Sequence, residues 1–215
     1  MKIGIIGGSG MAGRALFNEA VRRGDVPTAI VRDQAKAEGV LGDWGNYLAK
    51  DALKLTASDL ASFDVVIDAL GTTPAEASKQ LELAKRLVEF ARSKGGPRLV
   101  FVLGAGSLKT PDGRHFLDVL YEQPGTAAFI AIPEQQFREL EFLRTVDDVD
   151  WTGISPSAEF VPGPAGNPVL GDDELLTGPG GGSRVTSGTF AVAVLDEIHD
   201  PKHSRRRFTV RDEDC

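Results

Sequence analysis

The first thirteen residues, MKIGIIGGSGMAG, constrain this chain more than any other stretch. The apolar run at residues 3–6 does not alternate, which suits a strand buried on both faces. It leads directly into Gly7, Gly8, Ser9, Gly10, Met11, Ala12 and Gly13. A helical pattern follows, with Leu16, Phe17, Ala20 and Val21 on one face. Strand, glycine turn and helix in that order make a phosphate cradle. Glycines permit the tight turn, the close approach of a pyrophosphate and the packing of helix on strand. The helix N-terminus adds free N–H groups and a positive dipole end. Two spacings fit. Gly8, Gly10 and Gly13 satisfy G-x-G-x-x-G, and Gly7, Gly10 and Gly13 satisfy G-x-x-G-x-x-G.

The rest of the chain alternates in the same way. Strands are expected at residues 28–31, 64–70, 98–103, 151–155 and 207–210. Helices are expected at 75–94, 133–146 and 188–199, with a short helix or turn at 59–63 and a polar, glycine-bearing stretch at 32–45. Strands alternating with helices predict one α/β domain over residues 1–215, a doubly wound Rossmann fold with a parallel sheet and helices on both faces. The glycine- and proline-rich segment 162–183 reads as an irregular loop, either a flexible lid over the site or a loop carrying a small hairpin.

Composition narrows the partners. A formal charge of −7 argues against nucleic acid or an anionic membrane as a partner. No apolar stretch is long enough to span a bilayer, and the N-terminus begins a strand rather than a leader. The one cysteine, Cys215, excludes an intrachain disulfide and suits a reducing cytoplasm.

In sheets of this kind ligands bind beyond the carboxyl ends of the strands. That rule selects 7–13, Arg32, Leu70 with Gly71, 104–107 and 155–157 as the rim of one site. Arg32, just after the second strand, suits the 2′-phosphate of NADP, whereas an acidic residue there would serve NAD. The neighbouring Asp33 keeps NAD open, and Asp51 is a candidate for the adenine end. Thr72 or Thr73 could cap the helix after Pro74. Ser107 would stand at the nicotinamide edge, where its hydroxyl could orient a substrate carbonyl or cap a turn. A tyrosine with a lysine four residues later, the usual acid–base pair of short-chain reductases, is missing. Gly125 follows Tyr121 and Asp51 follows Tyr47 at that spacing. Hydride transfer to a flavin does not need the pair, because stacking and orientation do most of the work. His199 and His203 are separated by Pro201, so no metal is expected there. His115 stands in a polar loop, with only its position to suggest a proton donor.

These stretches resemble the atypical short-chain dehydrogenase group of NADH–flavin reductase-like, NmrA-like and biliverdin/flavin reductase-like proteins. The resemblance is carried by KIGIIGGSGMAG, AIVRD, DVVIDALGT, RLVFVLGAGSL, WTGISPSAEFVPG and AVAVLDEIHDPKHSRRRFTV, and it runs over nearly the whole chain. It implies NAD(P) contacts through Gly7, Ser9, Gly10, Met11, Arg32, Leu70, Gly71, Gly104 and Ala105, with Pro156 and Ser157 near the nicotinamide. It also likens Ser107 to a serine near the substrate. Gly8-Ser9 replaces a common alanine–threonine pair, which keeps both positions small. The implied activity is NAD(P)H-dependent reduction of a small-molecule acceptor, with flavin as substrate rather than prosthetic group. The competing reading is a non-catalytic, NAD(P)-sensing regulatory protein.

Overall fold

The computed structural model describes residues 1–43, 45–92 and 95–215. Its spine is an eight-stranded sheet. β1 (Lys2–Ile6) is followed by α1 (Met11–Arg22), β2 (Val26–Val31), α2 (Gln34–Leu41), β3 (Asn46–Ala49) and α3 (Ala57–Leu60). The chain then crosses back through β4 (Val65–Asp68), α4 (Ser78–Ala91), β5 (Arg98–Val102), α5 (Phe116–Glu122), α6 (Ala131–Leu143) and β6 (Trp151–Pro156). β7 (Glu159–Val161), β8 (Pro168–Gly171), β9 (Arg184–Thr186), α7 (Ser187–His199) and β10 (Arg206–Asp212) complete it.

The strand order is β3-β2-β1-β4-β5-β6-β10-β8. All main-sheet pairings are parallel except β8 on β10. The direction of winding reverses between β1 and β4, and a crevice opens at such a switch point. Side-chain alternation along β1 divides the core. Ile3 and Ile5 pack with Leu16 and Phe17 of α1 and Phe190 and Val194 of α7. Ile6 faces the other way, with Leu83 and Leu87 of α4 and Leu140 of α6. Both faces of the sheet are therefore covered by helices, as the doubly wound single-domain fold requires.

Several expectations need correction. Val21 of α1 is 36% exposed, because the buried stripe follows Leu16, Phe17 and Ala20 instead. The stretch 32–45 holds α2, whose N-cap Asp33 accepts from Lys36 N at 3.0 Å. The edge strand β3 and the seven-residue helix α5 were both unforeseen. The helix expected over 75–94 begins as a 3₁₀ turn, Pro74–Glu76, before α4. Its expected end at Ser93 and Lys94 lies outside the described residues, as does Trp44 in the 32–45 stretch. The segment 162–183 contains no hairpin of its own. Its strand β8 joins the main sheet antiparallel to β10, with Val169 opposite Arg211. The flanking β7 and β9 pair in parallel as a separate ribbon.

Candidate functional site

The glycine turn from β1 to α1 is built by close backbone approaches. Gly7 has φ +73°, and a Cβ there would stand 2.4 Å from the Ala69 carbonyl oxygen. A Cβ on Gly13 would stand 2.2 Å from the Gly7 oxygen. Both positions need glycine for the fold itself. Gly10 differs. Its backbone is extended, and a Cβ would meet only the Gly7 oxygen, at 3.2 Å. It caps α1, whose first N–H groups point out of the helix start toward the switch point.

The turn forms one wall of a cleft of about 230 Å³. Gly7, Ser9, Gly10, Arg32, Leu70 and Gly71, all expected at the site, line it together. Asp51 lines it too, with Lys50, Leu53, Thr72, Glu76 and Lys79. Pockets that enclose a whole drug-sized ligand run to about 300–1,000 Å³. This cleft has room for one end of an extended ligand rather than the whole of it. Ile6 and Ile30 at the strand ends, with Ala52 and Leu53, supply an apolar lining for a flat base.

The charged groups around the cleft differ in how far they are committed. Lys50 donates to Asp59 at 2.6 Å, and that bond, with Thr56, holds the Asp59 carboxyl down at about 2. Asp51 turns back to accept from Leu53 N at 2.9 Å. Asp33 is used as the α2 cap. Lys79 pairs with Glu76, and this contact holds the Glu76 carboxyl below the usual carboxylate range. Arg32 is exposed and makes no hydrogen bond or ion pair with the described residues. Lys50, Glu76 and Lys79 were missed because no local pattern marks them. Lys50 follows β3, with its N–H on the Val31 carbonyl at the end of β2, whereas Glu76 and Lys79 come from the β4–α4 connection and the start of α4.

The other expected rim residues lie elsewhere. Met11 lines a separate cavity of about 420 Å³ between α1 and the turn containing Pro162 and Gly163. Gly104 is covered by Gln136, whose Oε1 would lie 2.1 Å from an added Cβ. Ala105 and Ser107 form a 3₁₀ turn with Gly106. Ser107 is only 5% exposed, and its hydroxyl accepts from Arg207 Nη1 at 3.1 Å. The same nitrogen donates to Ser155 Oγ at 3.0 Å, while Arg207 Nε bonds Asp173 Oδ1 at 2.9 Å. This buried guanidinium ties β10, β6, the Ser107 turn and the 162–183 segment into one network. Pro156 and Ser157, read from sequence as part of the rim near the nicotinamide, are buried. The Ser157 hydroxyl donates to the Val210 carbonyl at 2.9 Å, so its proton is spent on sheet packing.

No tyrosine reaches the cleft. Tyr47 donates to the Gly42 carbonyl, and Tyr121 is exposed and donates to Glu134. The histidines also turn to separate partners. His199 Nε2 meets Asp25 at 2.8 Å and His203 Nδ1 meets Glu197 at 2.7 Å. His115 Nδ1 lies 3.1 Å from the Ser107 carbonyl oxygen. Two carboxyls are buried beneath the site, Asp68 at the end of β4 and Glu139 on α6. Burial makes both weaker acids, raising their pKa above the usual carboxylate range, and the charge of Asp68 adds to the effect on Glu139. Asp68 Oδ1 accepts from Leu70 N at 3.0 Å, which braces the loop lining the cleft.

Comparison with known proteins agrees with this fold. A family model described as NAD(P)H-binding matches residues 7–201. The chain is 35% identical to the Bacillus subtilis protein YwnB, over 98% of each sequence. A solved structure from Lactobacillus casei is 39% identical over the full length of both chains, with a TM-score of 0.92. Another, from Streptococcus pneumoniae and named as a candidate NADH-flavin reductase, is 30% identical over 99% of each chain, with a TM-score of 0.87. No helix among the described residues is long and apolar enough to cross a membrane.

Proposed function

The chain belongs to the NAD(P)H-binding family, and on that premise we propose that it is an oxidoreductase taking NADPH in preference to NADH and reducing flavin or a similar flat, conjugated acceptor. The observation that carries this reading is the cleft at the strand-order reversal, with the glycine turn on one wall and an uncommitted Arg32 at its mouth. The backbone N–H groups at the start of α1 and the Ser9 side chain would hold the pyrophosphate. Ile30, Ala52 and Leu53 would pack the base. Arg32 would pair with the 2′-phosphate, while the Asp33 side chain is engaged as the cap of α2. A bound nicotinamide supplies a hydride, and water can supply the accompanying proton. The chain therefore needs to orient two flat rings rather than provide a tyrosine acid. The Arg207 network supports this by fixing the Ser107 turn and by holding the 162–183 segment as a wall on the acceptor side. The streptococcal relative named for flavin reduction supports the choice of acceptor. The lone cysteine suits a cytoplasmic protein.

Steady-state oxidation of NADPH with free flavin, followed at the nicotinamide absorbance, tests the proposal. Turnover that saturates in both substrates is expected, and Arg32→Ala should weaken NADPH selectively. Tight NADPH binding without turnover on any flavin would instead favour a dinucleotide-sensing regulator.

A further inference from the structure

The charges beside Arg32 carry a more specific conclusion, which rests on the placement of the 2′-phosphate there. Lys50 is committed to Asp59, and Asp51 turns to the Leu53 N–H. The uncommitted or exchangeable charges lining the cleft are then Arg32, Lys79 and Glu76. Glu76 closes the 3₁₀ turn after Thr73, and Lys79 lies in the first turn of α4. The Glu76 carboxylate is held by Lys79, and it also accepts from Thr73 Oγ1 at 3.3 Å. Its ionised form is further favoured by the charge of Arg32 across the cleft. One carboxylate thus lies under the influence of two cations at the mouth of the adenosine end. The Thr72 hydroxyl, buried at the cleft wall, has no hydrogen-bond partner among the described residues.

We infer that Glu76 sets cofactor choice by competing with the 2′-phosphate for Lys79 and Arg32. With Glu76 ionised, the three groups sum to one positive charge, which suits a dinucleotide lacking the extra phosphate as well as one carrying it. Without that carboxylate they sum to two, which matches a phosphate monoester of charge about −1.5 to −2. Lys79 released from Glu76 becomes a second phosphate donor beside Arg32, and the Thr72 hydroxyl is within the same lining. Glu76 therefore restrains NADPH preference that Arg32 creates. The pair Glu76–Lys79 is half-exposed, so the effect is moderate and screened by salt.

The test is titration of the full-length protein with NADPH and with NADH, read by nicotinamide fluorescence. Glu76→Gln should raise NADPH affinity by about three- to tenfold, the effect of one unit charge roughly 6 Å away at a partly solvated site. The gain should shrink in high salt. Glu76→Asp, which keeps the charge, should give less. Lys79→Met should lower NADPH affinity more than NADH affinity. An unchanged or reduced NADPH affinity in Glu76→Gln overturns the inference. So does a shift in preference that comes wholly from weaker NADH binding, because Glu76 would then be an acceptor for the ribose hydroxyl. Failure of the underlying placement has a different signature. In that case Arg32→Ala loses NADPH and NADH affinity equally, whatever Glu76→Gln does.

Discussion

Gly10→Val separates what the fold needs from what the cofactor needs. At Gly13 a Cβ would collide with the Gly7 oxygen at 2.2 Å, so a failure there reports on folding alone. At Gly10 the same atom would stand 3.2 Å from that oxygen, and the backbone is already extended. A few tenths of an ångström of relaxation accommodates it. Exchanging glycine for valine at an N-cap costs about 1 kcal/mol. For a chain of this size that lowers the melting temperature by roughly 2–4 °C. The functional cost is larger. The new side chain projects into the cleft where a pyrophosphate would approach the backbone. Losing one charge-assisted hydrogen bond costs about 1.5–3 kcal/mol, which is at least about a tenfold loss in affinity. Thermal melts and NADPH fluorescence titration on the same protein measure both quantities. A folded Gly10→Val protein that binds NADPH with unchanged affinity would refute the placement of the pyrophosphate. A collapse of the fold would refute the argument that Gly10 has spare room.

Two further outcomes follow from buried and exposed groups. Asp68 and Glu139 hold their protons more tightly in the folded protein than in the unfolded chain, so their stabilising contribution is full below the ordinary carboxylate range and is lost as pH rises through their raised values. Urea melts across a pH series should show stability falling as pH rises from about 4.5 at up to about 1.4 kcal/mol per pH unit per proton, and Glu139→Gln should flatten that slope; an unchanged slope would show that the pair does not titrate in this range. Tyr121→Phe should leave flavin reduction within a few-fold, since its hydroxyl is exposed on Glu134; a loss of roughly 10²–10⁴-fold, as for a true general acid, would overturn the mechanism.

The parts legible from sequence are those encoded by local pattern. Unbroken apolar runs such as 3–6 and 99–103 lie in central strands, because a strand covered on both faces has no polar side to alternate with. The short, half-exposed elements escaped. β3 begins at Asn46 and lies at a sheet edge, where one face can stay polar. β8 begins at Pro168, which an edge strand tolerates because its lost N–H need not pair. Segment 162–183 therefore reads as loop although its middle belongs to the main sheet.

The same division runs through the site. The glycine turn and Arg32 could be placed from sequence, because strand, turn and helix are contiguous and their spacing alone brings N–H groups and glycines to one end. Which hydroxyls and charges remain available could not. Ser107 and Ser157 both follow strand ends, as rim residues should, yet the fold turns one toward Arg207, a hundred residues away, and the other toward Val210. Lys79 and Glu76 carry no motif, yet the reversal between β1 and β4 brings them to the cleft that Arg32 lines. Local chain geometry determined where a phosphate can approach. Only tertiary packing decided which polar groups were spent within the protein and which were left for a ligand, because hydrogen bonds and ion pairs between distant segments are set by the fold and not by spacing along the chain.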